Sequence, residues 1–241
     1  MIVNMEKGRN IALVLAGGHG ERMHAETPKQ FMCLRGVPVI LHTLQVFENH
    51  SQIDMIAVVC LNGWEDYLHR LIQEFGLKKV QYIFQGGTDS HTSIHNGINS
   101  LYRICSPAID VVLVHEAVRP LVSSRIISDC ICVCRSKGNA ITAIRDNEAV
   151  MYSDDGVESV QCFPREKMYR AQTPHAFFLC DLEKAYTEAD RRHLCSQSLY
   201  TLMAELEYTP LYIVDGERCN LKLTYPEDFR IAEMLMEMKD H

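Results

Sequence analysis

The residues most suggestive of chemistry form a glycine-rich segment that is followed by two cations. The segment reads LAGGHGERM over residues 15–23, and PKQF follows it at residues 28–31. Glycines let backbone N–H groups come close to a phosphate chain, and Arg22 and Lys29 carry positive charge suited to a triphosphate. A structural turn flanked by solvated basic residues is the alternative that these residues alone leave open.

Two common nucleotide-binding motifs do not fit this segment. The dinucleotide fingerprint requires a third glycine where this chain has Met23, and an acid at the end of the second strand, where it has Val59-Cys60-Leu61. A Walker A loop requires Gly-Lys-Ser or Gly-Lys-Thr after the glycines. The segment therefore predicts a phosphate-binding turn of another kind and disfavours a nicotinamide-dependent oxidoreductase.

The composition limits the partners and the location. The 241 residues carry a net charge of −7, which argues against a general nucleic-acid binder but is compatible with a local cluster of cations. The ten cysteines include no CxxC pair, so we interpret them as buried thiols rather than zinc ligands or disulfides. Because the sequence has no signal-peptide pattern and no apolar run of about 18 residues, we expect a cytoplasmic protein without a membrane partner.

Short β-branched runs alternate with patterns of helical spacing, which predicts an α/β fold with a mostly parallel sheet. Strands are predicted at residues 11–15, 55–61, 80–84, 111–115 and 140–144. Helices are predicted between them, at residues 39–47, 65–75, 93–104 and 123–135. Ligands of such sheets bind beyond the carboxyl ends of the strands, and the glycine-rich turn follows the first of these ends.

The alternation breaks at residues 146–163, where a hairpin is predicted. Apolar runs at 149–152 and 157–161 flank the turn sequence Ser153-Asp154-Asp155-Gly156. An isolated two-stranded ribbon is only marginally stable, so we predict that it projects as an arm onto another subunit. The chain is thus interpreted as one domain, residues 1–241, that forms a homodimer through an arm at about residues 146–165.

The C-terminal segment is predicted to contain two more strands and a helix. The strands are expected at residues 211–214 and 220–223. Thr224 and Glu227 have the spacing of a capping box, which indicates a last helix through residue 238.

Five groups of residues, in order along nearly the whole chain, resemble the family of methylerythritol-phosphate and ribitol-5-phosphate cytidylyltransferases. They are the glycine-rich segment with Pro28-Lys29-Gln30-Phe31, Gly86-Gly87-Thr88-Asp89 with Ser93, His115-Glu116-Ala117-Val118-Arg119-Pro120, Arg165 with Ala171-Gln172-Thr173-Pro174, and Asn220-Leu221-Lys222-Leu223-Thr224. The resemblance implies a Rossmann-like, mostly parallel wound sheet of the nucleotide-diphospho-sugar transferase type, with a projecting β-hairpin arm. It also implies an enzyme that joins CTP to a small polyol phosphate and releases pyrophosphate.

The resemblance further implies roles for the matching residues in nucleotide binding. Arg22, Lys29 and Lys222 would surround the triphosphate and stabilise the charge on the reacting α-phosphorus. The remaining CTP contacts would come from Ala16, Gly17, Gly18, Gly20, Gly86, Gly87, Thr88 and the Ser93 hydroxyl. Mg²⁺ is the expected cofactor, held mainly by the CTP phosphates, with Glu116 as its candidate protein ligand.

For the acceptor, the resemblance implies a second set of contacts. The residues of this set are Glu116, Arg119, Asn147, Arg165 and Thr173. Arg165 would reach the neighbouring subunit's site and grip the acceptor's phosphate, a task that suits a forked guanidinium.

Four positions depart from the family pattern. Glu116 stands where the family usually has Asp, Ser90 where it has Arg, and Asn147 where Thr is frequent. Gln197-Ser198-Leu199-Tyr200 replaces a familiar Thr-Asp-rich segment. We interpret these changes as an altered acceptor preference. A non-catalytic relative that binds CTP without releasing pyrophosphate is the alternative that Ser90 and Glu116 motivate.

Between the known acceptors, three features resemble the ribitol-5-phosphate branch more closely. They are the Ala-Gly-Gly turn, Val118 before Arg119, and Asn220-Leu221-Lys222. A ribitol-5-phosphate-like acceptor is therefore favoured, with methylerythritol phosphate as the alternative.

Overall fold

A seven-stranded sheet between two layers of helices forms the centre of the fold, in a computed structural model that describes residues 8–18 and 27–239. Within these residues the strands are β1 (Asn10–Ala16), β2 (Cys33–Leu34), β3 (Val37–Pro38), β4 (Met55–Cys60), β5 (Val80–Gln85), β6 (Val111–Glu116), β7 (Asn139–Arg145), β8 (Met151–Tyr152), β9 (Gln161–Cys162), β10 (Tyr169–Phe178) and β11 (Ile213–Asp215). The helices are α1 (Val39–Asn49), α2 (Glu65–Glu74), α3 (Ser90–Tyr102), α4 (Ser124–Lys137), α5 (Leu179–Arg192), α6 (Leu199–Glu205) and α7 (Pro226–Lys239). Two short 3₁₀ helices lie at Lys29–Phe31 and Arg165–Lys167.

The strands of the central sheet lie in the order β11-β7-β10-β6-β1-β4-β5. β1 is parallel to its neighbours β4 and β6, β4 is parallel to β5, and β11 is parallel to β7. β10 is antiparallel to both β6 and β7. Only the hairpin and a 3₁₀ helix separate β7 from β10, whereas a parallel pair would need a longer crossover. The predicted α/β class with a mostly parallel sheet is confirmed.

Alternate residues of the buried strands face the two layers of helices. On β1, Ala12 and Val14 belong to the core formed with α1, α2 and α4, whereas Ile11 and Leu13 belong to the core formed with α3, α5 and α6. All four are fully buried. Burial on both faces explains why these strands are continuous apolar runs in the sequence. Among the helices of residues 8–18 and 27–239, none combines the length and the hydropathy of a membrane span.

The described cysteines occupy buried, half-buried and exposed positions. Cys130 and Cys134 on α4 are fully buried, and Cys132 between them is exposed. Burial raises the pKa of both buried thiols to about 12, so they remain protonated and pack as apolar groups. The interpretation as buried thiols is confirmed for this pair and for Cys60, and is wrong for Cys132, Cys33 and Cys195, which are exposed.

The chain between residues 163 and 211 contains the strand β10 and the helices α5 and α6, none of which was predicted. The sequence of β10, YRAQTPHAFF, mixes polar and apolar residues because its first residues are exposed and its last are buried. That mixture hides the period of two on which strand prediction depends.

The predicted strand at residues 220–223 is wrong, because these residues form no regular element. Their polar groups pair instead with the loop after β6. The Leu223 N–H donates to the Val118 carbonyl at 2.9 Å, and the Asn220 carbonyl accepts from the Arg119 side chain at 2.8 Å. Pairing with a loop replaces pairing with a strand.

The predicted hairpin is present but shorter than expected. β8 and β9 pair antiparallel over two residues each, with Met151 opposite Cys162. The second strand lies at the end of the predicted run 157–161, so Val157 and Val160 fall in the connection and are 88% and 91% exposed. The hairpin therefore presents apolar side chains to solvent.

Helix α7 begins with a different cap from the predicted one. The Asp228 carboxylate accepts the backbone N–H groups of Thr224 at 2.7 Å and Tyr225 at 2.8 Å. These bonds satisfy donors that the start of a helix otherwise leaves unpaired. The acid of the predicted capping box, Glu227, is one residue away from the one that makes these bonds.

Asp228→Ala is expected to lower the free energy of unfolding by about 1 kcal/mol, because two backbone donors lose their acceptor. Glu227→Ala is the matched control and should stay within roughly 0.5 kcal/mol of the wild type. Urea denaturation of the three proteins measures both differences. Equal losses in the two variants would contradict the assignment of Asp228 as the cap.

Candidate active site

A cleft of about 730 Å³ opens at the carboxyl ends of the central parallel strands. Ligands of α/β sheets bind at this edge. The predicted site residues that line it are Ala16, Gly17, Gly18, Lys29, Thr88, Ser93, Glu116, Arg119, Thr173 and Lys222. The fold thus brings residues from all five groups to one place.

Among the described residues, four of the predicted ones do not line this cleft. Gly86 and Gly87 lie next to it, in contact with Gly17 and Ser93. Asn147 and Arg165 lie at the base of the hairpin, in a second pocket of about 340 Å³, and both are exposed. A single chain therefore does not bring them to the cleft. Gly20 and Arg22 lie outside the described residues.

Glycines allow three backbone segments to converge beside the cleft. A Cβ atom on Gly17 would lie 3.0 Å from the Ser93 hydroxyl, and one on Gly86 would lie 2.9 Å from the Cys60 carbonyl. The Gly87 N–H donates to the Ser93 hydroxyl at 3.0 Å. Because that hydroxyl accepts from the backbone, its proton remains for an acceptor atom of a ligand. Gly86 and Gly87 thus support the cleft wall behind Ser93.

Gln30 holds the glycine-rich turn in place. Its side-chain amide donates to the carbonyls of Ala16 at 2.8 Å and Gly18 at 2.9 Å, and the residue is 1% exposed. Lys29, its neighbour in the same 3₁₀ helix, lines the cleft. The sequence places Gln30 in the motif of residues 28–31 but indicates no role for it, and its position next to the aromatic Phe31 was the available signal.

One carboxylate in the cleft binds two cations. Glu116 Oε2 accepts from Arg119 Nε at 2.6 Å, and Glu116 Oε1 accepts from Lys222 Nζ. Burial favours a higher pKa for Glu116, but the charges of Arg119 and Lys222 outweigh it and lower the pKa to about 2. Glu116 is therefore ionised at neutral pH and holds both cations in the cleft.

A chain of hydrogen bonds fixes the polarity of Thr173. Its hydroxyl accepts the Glu116 N–H at 3.1 Å and lies 3.0 Å from His115 Nδ1. His115 Nε2 lies 3.2 Å from the Arg119 carbonyl, which can only accept, so Nε2 carries the ring proton and Nδ1 accepts from Thr173.

Burial lowers the pKa of His115 to about 3, so the ring is neutral. The Thr173 proton is thereby engaged within the protein. In the predicted contact with a ligand, the Thr173 oxygen must therefore accept the hydrogen bond. A ligand hydroxyl group can donate such a bond, whereas an ionised phosphate cannot.

Residues 195–199 form part of the cleft lining and received no site assignment from the sequence. The Ser196 N–H lies 3.4 Å from His91 Nδ1, at the start of α3. Ser90, also at the start of α3, lines the same cleft. Together with Glu116, three of the four departures from the family pattern therefore fall on the cleft itself: the other two are Ser90 and the segment beginning at Gln197.

The cleft offers few protein ligands for a metal ion. Within residues 8–18 and 27–239, no three His, Cys, Asp or Glu side chains cluster in a way that could hold one. Both oxygens of Glu116 already accept from cations. This donor set fits a Mg²⁺ ion carried by nucleotide phosphates, since Mg²⁺ keeps several waters and needs few protein ligands. Direct ligation by Glu116 stays a prediction.

Glu116→Gln is expected to lower the free energy of unfolding at neutral pH, because Arg119 and Lys222 lose their counter-charge. A carboxylate whose folded pKa is depressed stabilises the folded state above its unfolded pKa of about 4.3. That contribution is lost as the pH falls toward the folded pKa of about 2.

The stability difference between the wild type and Glu116→Gln should therefore shrink as the pH falls from about 5 toward 2.5. Urea denaturation at constant ionic strength measures it. A difference that is the same at every pH would contradict the ion-pair account.

Comparison with known proteins agrees with this geometry. The family model for 2-C-methyl-D-erythritol 4-phosphate cytidylyltransferase (IspD) matches residues 10–238. A ribitol-5-phosphate cytidylyltransferase of Lacticaseibacillus paracasei is 36% identical over 232 residues, which cover 95% of this chain and 98% of the relative. A 2-C-methyl-D-erythritol 4-phosphate cytidylyltransferase of Alkaliphilus metalliredigens is 32% identical over 228 residues, covering 94% and 92%.

Solved structures show the same fold. The 4-diphosphocytidyl-2C-methyl-D-erythritol synthase of Anaerococcus prevotii has a TM-score of 0.82 at 24% identity, covering 96% of this chain and 100% of that one. The 2-C-methyl-D-erythritol 4-phosphate cytidylyltransferase of Thermus thermophilus has a TM-score of 0.74 at 25% identity, covering 95% and 99%. Because the family model matches residues 10–238, this chain belongs to the 2-C-methyl-D-erythritol 4-phosphate cytidylyltransferase (IspD) family and is a nucleotidyltransferase.

Proposed function

We propose that this cytidylyltransferase transfers the cytidylyl group of CTP to ribitol 5-phosphate or a closely similar polyol phosphate, forming a CDP-polyol and pyrophosphate. The observation that carries the proposal is the group formed by Glu116, Arg119, Lys222 and Thr173, which places cations for phosphate beside acceptors for hydroxyl groups. The Lacticaseibacillus paracasei relative, named for ribitol 5-phosphate, supports the choice of acceptor.

The reaction needs neutralisation of charge more than acid–base catalysis. A phosphate oxygen of the acceptor attacks the α-phosphorus of CTP, a P–O bond forms, and the bond to the β-phosphate breaks to release pyrophosphate. The attacking oxygen is already ionised, so no general base is required. Lys29 and Lys222 line the cleft, where they offset the charge of the triphosphate and align it for attack. Mg²⁺ bound to the phosphates would supply further Lewis-acid stabilisation.

The wall formed by Gly86, Gly87 and Ser93 suits a cytosine base. Cytosine presents ring and carbonyl acceptors beside an exocyclic amine donor. The Ser93 hydroxyl has a proton for one of those acceptors, because its oxygen accepts from Gly87. Backbone carbonyls at the ends of the neighbouring strands can accept hydrogen bonds from the exocyclic amine.

The hairpin favours a homodimer. Met151, Val157 and Val160 are 74%, 88% and 91% exposed, and a second subunit would remove this apolar surface from water. The Arg165 side chain at the base of the hairpin is 66% exposed and lies away from its own chain's cleft. In a symmetric dimer each arm would supply Arg165 to the partner's acceptor phosphate.

2-C-methyl-D-erythritol 4-phosphate is the second candidate acceptor. The Alkaliphilus metalliredigens relative that carries this name is 32% identical over most of the chain. The carbon chain of methylerythritol phosphate is one hydroxyl-bearing carbon shorter than that of ribitol 5-phosphate and bears a methyl branch. The two acceptors therefore differ in the hydroxyl groups that meet Glu116 and Thr173.

With CTP and Mg²⁺, the protein is expected to release pyrophosphate with ribitol 5-phosphate at a kcat/KM about tenfold or more above that with methylerythritol phosphate, since a misplaced hydroxyl leaves buried polar groups unpaired. UTP, ATP and GTP are the nucleotide controls and should turn over far more slowly. Faster use of methylerythritol phosphate would reassign the acceptor. Binding of CTP without pyrophosphate release from any polyol phosphate would identify a non-catalytic relative.

Mixing two inactive variants tests the shared site. Lys29→Ala and Arg165→Ala should each be inactive alone, with CTP binding nearly intact in Arg165→Ala. A heterodimer has one site with both residues intact, so about half of the normal activity per heterodimer should return after subunit exchange. Glu166→Ala, an exposed neighbour, is the control that should remain active alone. Demonstrated exchange without recovery would place both residues in the same subunit's site.

A further inference from the structure

His175 is a buried histidine that borders the cleft and has no role in the reaction described above. It lies on β10, opposite Val114 of β6 and Ile141 of β7. The residue is 4% exposed and lines the same cavity as Glu116. Its position thus combines contact with the cleft and exclusion from bulk water.

The ring of His175 is satisfied on one side only. The backbone of Gln172 raises the pKa of the ring, which is the effect of a nearby carbonyl because a carbonyl accepts the proton of the ring. Nε2 has no hydrogen-bond partner among the described residues and is shielded from solvent. The Gln172 carbonyl therefore faces Nδ1.

The protonation of the ring follows from its surroundings. Burial lowers the pKa of His175 to about 4, more than the nearby charge of Glu116 raises it. The ring is neutral at physiological pH, and its single proton lies on Nδ1, directed at the Gln172 carbonyl. Nε2 is then a lone-pair acceptor that needs a donor. Buried acceptors without a partner are rare because they cost stability.

The order of the strands indicates which substrate supplies that donor. The glycine wall with Ser93 lies at the ends of β1, β4 and β5, on one side of β6. Glu116 lies on β6 itself, and Thr173 and His175 lie on β10, on the other side. His175 therefore belongs to the half of the cleft that faces the acceptor.

We propose that His175 Nε2 accepts a hydrogen bond from a hydroxyl group of the acceptor polyol and so helps to decide which polyol phosphate is used. The inference rests on the proposed function, because it assigns a specificity contact within that site. His175 is not a base in this account, since the attacking phosphate oxygen is already ionised.

Two substitutions and a set of acceptors test the assignment. His175→Leu removes the acceptor atom at similar volume, and His175→Gln restores a polar group. His50→Leu is the matched control, because His50 is equally buried but its ring lies near Ser124 O and Ser128 Oγ, both at 3.1 Å. Each protein is assayed with CTP and with ribitol 5-phosphate or analogues that each lack one hydroxyl.

His175→Leu should lower kcat/KM for the intact acceptor by about tenfold, which is the loss expected for one uncharged hydrogen bond. The KM for CTP should stay within roughly threefold of the wild-type value. With one particular deoxy analogue, the wild type should already show this loss and His175→Leu should add none. His175→Gln should recover part of the activity. His50→Leu should show no selective effect on any acceptor.

Thermal unfolding of the protein without ligands separates this role from a structural one. His175→Leu should lower the unfolding temperature less than His50→Leu does, because it removes an unpaired buried acceptor together with the contact to Gln172. Equal losses for every deoxy analogue, an equal rise in KM for CTP, or a fall in unfolding temperature for His175→Leu as large as that for His50→Leu would each overturn the proposal. A wild type that does not use ribitol 5-phosphate would instead refute the proposed function.

Discussion

The arrangement of the site depends on the two ion pairs that Glu116 makes with Arg119 and Lys222. Glu116 ends a central strand, and Lys222 belongs to an irregular segment 106 positions later. Arg119 also donates to the Asn220 carbonyl at 2.8 Å, and the Asn220 side chain donates to the Thr173 carbonyl at 2.9 Å. A segment without regular structure is thus held against the sheet by polar contacts, and its lysine is directed into the cleft by the carboxylate it pairs with.

The direction of β10 explains how this strand contributes to the cleft. Parallel strands bring their carboxyl ends to one edge of a sheet, and ligands bind there. Because β10 runs antiparallel to β6 and β7, its amino-terminal half lies at that edge. Gln172, Thr173 and His175 therefore face the same cleft as Glu116, although they belong to the beginning of their strand and Glu116 to the end of its own.

The polarity of the hydrogen bonds divides the cleft into two halves. On the glycine side, Ser93 accepts from the Gly87 N–H and retains a proton to donate. On the β10 side, Thr173 gives its proton to His115 and can only accept from a ligand. Glu116 is likewise an acceptor. A substrate with hydroxyl groups and a phosphate complements the second half, because hydroxyl groups donate while the neighbouring cations receive the phosphate.

The sequence by itself determined the α/β class, the parallel strands and the position of the cleft at the end of β1, because continuous apolar runs and glycine-rich turns are local signals. It did not determine β10 or the irregular path of residues 220–223, since both mix polar and apolar residues whose pairing partners lie far away. Only the tertiary structure decided which atoms donate and which accept. The proton positions on Thr173 and His115 follow from two contacts of the His115 ring, one with Thr173, 58 positions away, and one with the Arg119 carbonyl, 4 positions away. A linear sequence does not specify such contacts.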